Sequence, residues 1–193
     1  MGNLKHRLRM LPACLWRREL RWIGVRWASP PILCGRPFVS RYEGSEISLG
    51  RKVRMDSSKR NNPLGGEKPC VLRTMTHAAR ISLGDRVGMS STCIVAGNSI
   101  EIGADTILGA GCMVLDNDFH VPDEPFGWKT EYQANSRPIK IGRGCFLGTR
   151  SIILKGVTLG DGVVVGAGSV VTRSVPPRTL VAGNPARILR ALE

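Results

Sequence analysis

The chain has 193 residues, of which 42% are hydrophobic but only 5% aromatic, so it can bury a single modest core. Residues 1–80 hold 17 lysines and arginines against 5 acidic residues, whereas residues 81–193 hold 11 against 10, so the net charge of +13 belongs to the front of the chain. Neither zinc-finger spacing nor a single-strand-binding arrangement of aromatics accompanies this charge, which argues against nucleic-acid binding. The six cysteines form no CxxC pair, which argues against a zinc ribbon or a thioredoxin-type site.

The first thirty residues predict an amphipathic helix. Arginine and lysine interrupt the apolar positions, so we expect neither a signal peptide nor a segment of ~20 apolar residues that could span a bilayer. Pro12 suits the first turn of a helix. The apolar residues that then share one face are Trp16, Leu20, Ile23 and Trp27, with Arg17 and Arg21 elsewhere. This face either packs on the protein or on another subunit, or it makes peripheral contact with a membrane through residues 1–30.

Residues 29–80 show a mixed pattern. Residues 47–50 and 53–55 resemble a first imperfect unit of the repeat that follows. The segment 57–69 contains Asn61, Asn62, Pro63 and two glycines, a composition that indicates a surface loop.

From residue 83 onward a bulky aliphatic recurs every six residues, with one slip and one long interruption. These aliphatics are Leu83, Met89, Val95, Ile102, Leu108, Val114, Ile141, Leu147, Ile153, Leu159, Val165 and Val171. The slot four residues later holds a small or β-branched residue, namely Val87, Cys93, Ser99, Thr106, Cys112, Cys145, Ser151, Val157, Val163, Ser169 and Val175. A short fixed period is typical of repeat proteins, whose units bury their apolar side only by stacking. The pattern predicts a triangular prism of short parallel strands, with glycines at its corners.

Three cysteines, Cys93, Cys112 and Cys145, fall in this small inward slot. We interpret them as buried thiols and not as members of a disulfide framework. That interpretation predicts a reducing, cytoplasmic location, with any membrane contact made at the inner face.

The repeat stops after Val114 and restarts at Ile141, and the excursion over residues 116–138 is the predicted seat of chemistry. It contains His120, the single histidine after residue 80. Histidine can accept and return a proton near neutral pH, as transfer of an acyl group to a hydroxyl requires. Its ring needs an orienting acceptor, for which Asp116, Asp118 and a backbone carbonyl are all open. Trp128 and Tyr132 either wall an acceptor pocket or pack the loop on an adjacent subunit.

Over about residues 80–190 this register resembles the left-handed parallel β-helix of the hexapeptide-repeat acyltransferases. The handedness is implied by the resemblance, since the spacing does not fix it. We therefore expect an all-β fold in three parts: a basic amphipathic helical extension over residues 1–42, a left-handed parallel β-helix over residues 43–180 with a catalytic loop at 116–138, and a C-terminal cap helix over residues 181–193. The position of His120 resembles that of the catalytic histidine in the O-acetyltransferases of sugars and antibiotics.

The later coils and the GNPAR ending at residues 183–187 resemble O-acetyltransferases that use acetyl-CoA, in which the coenzyme lies between neighbouring prisms. The resemblance implies that the coenzyme-binding residues are Phe146, Thr149, Ala167, Thr172, Arg173, Arg187 and Arg190, and it implies no metal. Arginine suits the phosphates because its donors form a fixed fork. In a second interpretation, compatible with the first, residues 187–192 form a helix whose Ile188, Leu189 and Leu192 plug the prism.

The family resemblance implies a homotrimer with active sites at its subunit interfaces. The expected function is transfer of an acetyl group from acetyl-CoA to a sugar hydroxyl, in surface polysaccharide or lipid-linked glycan synthesis, with His120 as general base. Two alternatives stay open: an antibiotic O-acetyltransferase and a non-catalytic hexapeptide-repeat assembly protein. A γ-class carbonic anhydrase is disfavoured, because His6, His77 and His120 lack the spacing of its zinc ligands.

Overall fold

A computed structural model describes residues 2–60, 62–66 and 68–193, with side chains from Ala13 onward. Asn61 of the predicted surface loop thus lies outside the described residues. One helix, α1 (Gly2–Ile23), precedes the strands. No helix in the described part of the chain is both long and apolar enough to cross a membrane.

The strands are short and follow one another at nearly regular intervals. In chain order, the first twelve are β1 (Arg26–Trp27), β2 (Ile32–Cys34), β3 (Phe38–Ser40), β4 (Glu46–Leu49), β5 (Arg54–Asp56), β6 (Val71–Thr74), β7 (Arg80–Leu83), β8 (Gly88–Ser90), β9 (Cys93–Ala96), β10 (Ser99–Ile102), β11 (Ile107–Leu108) and β12 (Met113–Leu115). The remainder are β13 (His120–Asp123), β14 (Gly127–Thr130), β15 (Ile139–Ile141), β16 (Phe146–Leu147), β17 (Ile152–Leu154), β18 (Thr158–Leu159), β19 (Val164–Val165), β20 (Val170–Val171), β21 (Thr179–Gly183) and β22 (Ala186–Ala191).

Apart from β13 and β14, which pair only with each other, the strands form three sheets that the chain visits in rotation. Sheet A has the order β1-β4-β7-β10-β15-β18, sheet B the order β2-β5-β8-β11-β16-β19-β21-β22, and sheet C the order β3-β6-β9-β12-β17-β20. Except for the antiparallel pair of β21 and β22, neighbours within these sheets are parallel, so each circuit of three strands stacks on the one before. This is a three-sided parallel β-helix of six coils, as the hexapeptide period predicts. Its left-handedness stays a prediction.

The core is built from aliphatic columns that run through the coils. Ile47, Ile81, Ile100 and Ile139 stand in register on sheet A, and all four are fully buried. A column of this kind buries each side chain between the coils above and below it, which is why no single coil could form alone.

The slip in the repeat lies earlier than the sequence pattern placed it. Ile94 pairs with Val114 inside the prism, whereas Val95 lies on the outer face of sheet C. Thr92 is fully buried, and Cys93 is only half-buried. The prediction of an inward Cys93 was therefore wrong. Successive residues of a strand point to opposite faces, so a shift of one residue turns the predicted inward side chains of β9 outward.

The described cysteines are free thiols, and Cys112 and Cys145 are buried as expected. Burial raises the pKa of Cys112 to about 12, while a hydrogen bond with the Ser151 hydroxyl opposes that shift. A thiol of this kind is a packing residue and a poor nucleophile.

Glycines line the corner between sheets A and B because the coils approach each other closely there. A Cβ placed on Gly103 would lie 2.6 Å from the carbonyl carbon of Gly142, and one placed on Gly142 would lie 2.6 Å from the amide nitrogen of Asp161. Separations below 3.0 Å to backbone require the coils to move apart. The spacing between coils therefore depends on these positions.

Two predictions about the front of the chain need correction. Pro12 lies inside α1 and does not begin it, because the residues upstream are mostly good helix formers. Parallel pairing begins at β1 and β2, well before residue 43, since the first coil takes its register from β4 and β5. Prolines interrupt the sequence period in this first coil, so the aliphatic pattern did not reveal it.

The predicted C-terminal cap helix is wrong. β21 joins sheet B beside β19, the chain reverses after Gly183 at a positive φ of 105°, and β22 returns antiparallel to β21. Ile188 and Leu189 are each 60% exposed and do not plug the prism. Pairing with the open edge of sheet B satisfies backbone groups that a short helix would leave unpaired.

Candidate active site

The excursion over residues 116–138 leaves the prism between sheet C and sheet A, a corner we call the C–A corner. Asp116 begins the excursion with a fully buried carboxylate, which accepts hydrogen bonds from the amides of Gly97 at 2.6 Å and Asn98 at 2.8 Å. Burial raises the pKa of Asp116, and these backbone donors oppose that rise. Asp116 therefore stabilises the backbone of this corner and forms no hydrogen bond with His120 among the described residues.

A second set of contacts ties the excursion to the next coil. Asp118 forms an ion pair with the ammonium group of Lys155 and accepts a hydrogen bond from Asn135 Nδ2 at 3.1 Å. Lys155 also donates to Asn135 Oδ1 at 2.7 Å. Asp118 is thus committed to holding both ends of the excursion together, and of the two aspartates considered, neither orients the histidine.

His120 lies at the start of β13, which pairs antiparallel with β14 to form a hairpin. The histidine is directly opposite Thr130, and the Thr130 hydroxyl lies 3.5 Å from His120 Nδ1, the long end of hydrogen-bonding distance. The imidazole is exposed. Thr130 is the residue that sequence reasoning missed, since only the hairpin register reveals it.

A polar cavity is lined in part by Thr130, the residue opposite this histidine. It has a volume of about 430 Å³ and is lined in part by Tyr42, His77, Thr130, Glu131 and Tyr132. Hydrogen bonds from the amides of Ala134 and Gln133 hold the Glu131 carboxylate and lower its pKa, so it is an ionised acceptor at neutral pH.

The two aromatic residues of the excursion have different surroundings. Tyr132 lines the polar cavity and packs edge-on against Phe119, with ring centroids 6.5 Å apart. Trp128 is 71% exposed at the hairpin tip, next to Phe126, which is 97% exposed. Tyr132 thus matches the expectation of a pocket wall, whereas Trp128 and Phe126 present an uncovered apolar tip.

The residues expected to bind coenzyme divide into two groups, the first of which lies along sheet B and the corner between sheets B and C. Phe146 is 46% exposed on the outer face of sheet B, in register with Ile107 and Val164. Thr149 and Ala167 occupy this corner one coil apart, and the amide of Gly168 donates to the Thr149 carbonyl at 2.8 Å. The amides of Thr149 and Ala167 have no acceptor among the described residues. They are available as donors to a bound group.

Arg187 and Arg190 belong to the same side of the molecule, on the antiparallel strand β22 at the end of sheet B. Both are exposed, and each donates only to a backbone carbonyl next to it in the chain. Their guanidinium groups remain open to solvent and to anions.

The second group, Thr172 and Arg173, directly follows β20 of sheet C. These two exposed residues lie at the C–A corner, the corner from which His120 also projects. One chain therefore places His120, Thr172 and Arg173 at one corner and the Phe146, Thr149 and Ala167 group on another side of the prism. The predicted site residues do not all meet within a single chain.

Among the described residues, no three His, Cys, Asp or Glu side chains lie close enough together to share a metal ion. The groups that could do chemistry here are an exposed imidazole, a polar cavity and two backbone amides that lack an acceptor among the described residues. Together with the repeating coils, they define a hexapeptide-type β-helix with a histidine-bearing loop.

Comparisons with known proteins agree with this class. A family model described as the hexapeptide repeat of succinyl-transferase matches residues 138–173. The chain is 34% identical over 114 residues to a candidate acetyltransferase of Staphylococcus aureus (strain MRSA252), covering 50% of this chain and 57% of that one. It is 46% identical over 57 residues to the galactoside O-acetyltransferase of Escherichia coli (strain K12), covering 30% of this chain and 28% of that one.

Two solved structures are similar in fold. A hexapeptide-repeat acetyltransferase from Vibrio cholerae O1 biovar eltor, complexed with acetyl coenzyme A, has 28% identity and a TM-score of 0.56, covering 78% of this chain and 72% of that one. A mutant N-acyltransferase from Bacillus cereus, in complex with dTDP and coenzyme A, has a TM-score of 0.67, covering 92% and 90% of the two chains. Its 22% identity supports a shared fold alone.

The chain is therefore similar to hexapeptide-repeat acetyltransferases, in its repeat over residues 138–173 and in its fold. It matches a little over half the length of the first curated relative, 57% of that protein.

Proposed function

We propose that this protein transfers an acetyl group from acetyl-CoA to a hydroxyl of a sugar, in surface polysaccharide or lipid-linked glycan synthesis, with His120 as general base. The observation that carries the proposal is the exposed imidazole on the hairpin, whose neighbour Thr130 also lines the polar cavity. Acetyl-CoA as the donor is supported by the acetyl-CoA complex of the Vibrio cholerae relative. A sugar acceptor is supported by the Escherichia coli galactoside enzyme.

The proposed step uses the two nitrogens of the His120 ring differently. With a proton on Nδ1 facing the Thr130 hydroxyl, Nε2 is left as the acceptor. Nε2 takes the proton from the sugar hydroxyl as its oxygen forms a bond to the thioester carbon. The C–S bond then breaks, the imidazolium returns the proton to the leaving thiolate, and the products are an acetyl ester and free CoA.

The unpaired amide of Thr149 is the proposed donor to the oxygen that becomes negative in the tetrahedral intermediate. Such a donor contributes roughly 3 kcal/mol in other enzymes. The amide of Ala167 and the aromatic face of Phe146 are assigned to the pantetheine arm. Thr172 and Arg173 are assigned to the next contacts, and Arg187 and Arg190 to the phosphates, for which their exposed guanidinium groups are suited.

The cavity favours a carbohydrate acceptor because its lining mixes hydroxyl, carboxylate and aromatic groups. The Tyr42 and Thr130 hydroxyls and the ionised Glu131 carboxylate can exchange hydrogen bonds with sugar hydroxyls, and Tyr132 offers an aromatic edge. An antibiotic bearing hydroxyl groups is the second candidate acceptor. A non-catalytic assembly protein is the third interpretation, and it predicts no coenzyme binding.

The test is a screen of thiol release from acetyl-CoA across a panel of glycans, matched aminosugars and aminoglycosides, with the His120→Ala protein as the blank. We expect release above that blank with at least one neutral glycan, and an acetyl ester identified by mass spectrometry. Release with an amine acceptor alone, giving an amide, would contradict the hydroxyl assignment. Absence of acetyl-CoA binding by calorimetry would favour the assembly protein.

We also propose a homotrimer in which each active site is shared between two chains. The outer face of sheet C carries an apolar row in register, consisting of Phe38, Val71, Cys93, Met113, Ile152 and Val170. The matching outer row of sheet A is polar, and includes Ser48, Ser82, Glu101, Lys140 and Thr158. An apolar face of this extent is suited to a neighbouring prism. Such a neighbour could bring its own coenzyme-side residues to His120.

Mixing two inactive variants tests the shared site. His120→Ala removes the base, and Ala167→Trp places a bulky side chain at the exposed coenzyme corner. Co-expressed at equal levels, the two chains should recover about one quarter of wild-type activity, since three quarters of random trimers are mixed and each has one intact site. Each variant expressed alone is the control. Recovery of less than a tenth of that level from verified mixed trimers would place the whole site within one chain.

A further inference from the structure

Helix α1 is docked on the β-helix by one of its faces. Ala13 and Leu20 are 3% and 2% exposed within the continuous core, and Trp16 packs against the same core. The helix contacts β2 and β3 of the first coil. Of the two roles open from the sequence, docking on the protein is therefore confirmed for this face.

The opposite face of α1 remains uncovered. Leu15 is 65% exposed and Trp22 is 89% exposed, and Arg18 lies between them, one turn from each along the helix. Arg21 is exposed beside Trp22. We call Leu15, Arg18, Arg21 and Trp22 the outer face of α1. In the sequence, leucines at positions 4, 8 and 11 precede Leu15 at intervals of three or four residues, the spacing of one helix face.

The charge around this face is almost entirely positive. Residues 1–42 hold nine lysines and arginines against one acidic residue, a net charge of +8. That acidic residue, Glu19, is paired with Arg36, whose guanidinium donates at 2.6 and 3.1 Å. No carboxylate in this segment is left to neutralise Arg18 and Arg21.

We infer that the outer face of α1 is a peripheral contact for an anionic lipid surface. Tryptophan and leucine beside arginines are the composition of helices that lie in the interface of a bilayer, where the apolar side chains enter and the cations meet the headgroups. Phosphates of a nucleic acid would attract the arginines equally well, but they give no reason for a tryptophan and a leucine to be held out in solvent. A lipid surface accounts for both groups.

Helix α1 can make this lipid contact without detaching from the β-helix. Because Ala13 and Leu20 already fix the helix to the first coil, the outer face is displayed at the N-terminal end of the prism with its residues in place. The contact is independent of the proposed acetyl transfer, since none of its residues belongs to the candidate active site. A membrane contact through α1 would hold the candidate active site near an acceptor bound to the same membrane.

Sedimentation with vesicles tests the inference. The full chain is incubated with 100 nm vesicles of phosphatidylcholine containing about 30% phosphatidylglycerol, and with phosphatidylcholine vesicles alone, at low and at high salt. We expect binding to the anionic vesicles at low salt, and a loss of at least about tenfold in the partition coefficient at high salt. The double variant Leu15→Ser with Trp22→Ser should bind at least about tenfold more weakly than wild type.

The matched control is Trp128→Ser, which removes an exposed tryptophan that belongs to the hairpin tip and not to α1, and which should leave binding unchanged. All variants should keep the wild-type thermal midpoint, because the altered side chains are exposed. Equal vesicle binding by the double variant and wild type would overturn the inference. The inference would also be overturned if the protein bound a DNA duplex of equal charge more tightly than the vesicles, and if the double variant bound that duplex as tightly as wild type. Thiol release with a soluble acceptor should be the same in the double variant and wild type, so a failure here is distinguishable from a failure of the proposed function.

Discussion

Replacing His120 by alanine is expected to lower the turnover of acetyl-CoA by at least about 100-fold, the usual contribution of a positioned general base. The affinity for acetyl-CoA should stay within about twofold of wild type, because His120 is not among the residues assigned to the coenzyme, most of which lie on another side of the prism. Steady-state kinetics and calorimetric titration with CoA measure the two quantities. The exposed imidazole fills no core space, so the fold should not change.

The matched control for this variant is Lys129→Ala, on the facing strand of the same hairpin. Lys129 pairs with Val121 and is exposed, so its loss changes the loop without touching the histidine or Thr130. We expect its turnover to remain within about threefold of wild type. If the two variants lose activity equally, the hairpin matters for its shape and His120 is not the base. If neither loses activity, the proposed mechanism is wrong.

The second large effect concerns stability. Gly103→Ala is expected to lower the free energy of unfolding by about 3 kcal/mol, the upper end of the cost of overpacking. The reason is that its new Cβ would meet the backbone of Gly142 at 2.6 Å, and backbone cannot rotate away as a side chain can. Urea denaturation followed by circular dichroism measures the change.

Gly88→Ala is the matched control. Gly88 also lies in a coil but has no positive φ, and a Cβ there would meet nothing within 4 Å. We expect its free energy of unfolding to change by less than about 0.5 kcal/mol, or to rise slightly as the unfolded chain loses freedom. Similar losses in both variants would mean that glycine matters for chain flexibility and not for the spacing between coils.

The sequence was most informative where neighbouring coils impose one period on the chain. From Ile102 through Val171 the predicted inward aliphatics are the ones that the coils bury, because each must match the column above and below. The slip near Ile94 was misplaced by one residue, since Ile94 and Val95 are both aliphatic and only pairing with Val114 separates them. The first coil and β22 were missed because their strands owe their form to adjacent strands and not to a local pattern.

The candidate site was predictable in part. The long excursion and its single histidine could be recognised from the chain. The residues that the family resemblance assigns to the coenzyme stay a prediction, and one chain places them on two sides of the prism. Thr130 could not be recognised, because its place opposite His120 depends on how the hairpin pairs. Asp116 is an acid beside a catalytic candidate in sequence, but its carboxylate turns inward to the amides of Gly97 and Asn98. The closeness of Asp116 to His120 in sequence therefore suggested that Asp116 orients the histidine. Its hydrogen bonds to backbone amides show that it stabilises the corner instead.

The excursion interrupts the chain but not the stacking of coils. Ile100 pairs with Ile139, and Val114 pairs with Ile153, as if residues 116–138 were absent. Residues 116–138 are thus an insertion that the β-helix tolerates without a change in its coils. The insertion leaves and rejoins the β-helix at the C–A corner. Loops from related prisms could be grafted between Leu115 and Ile139 to change the acceptor, while the stacked coils and the proposed coenzyme side stay as they are.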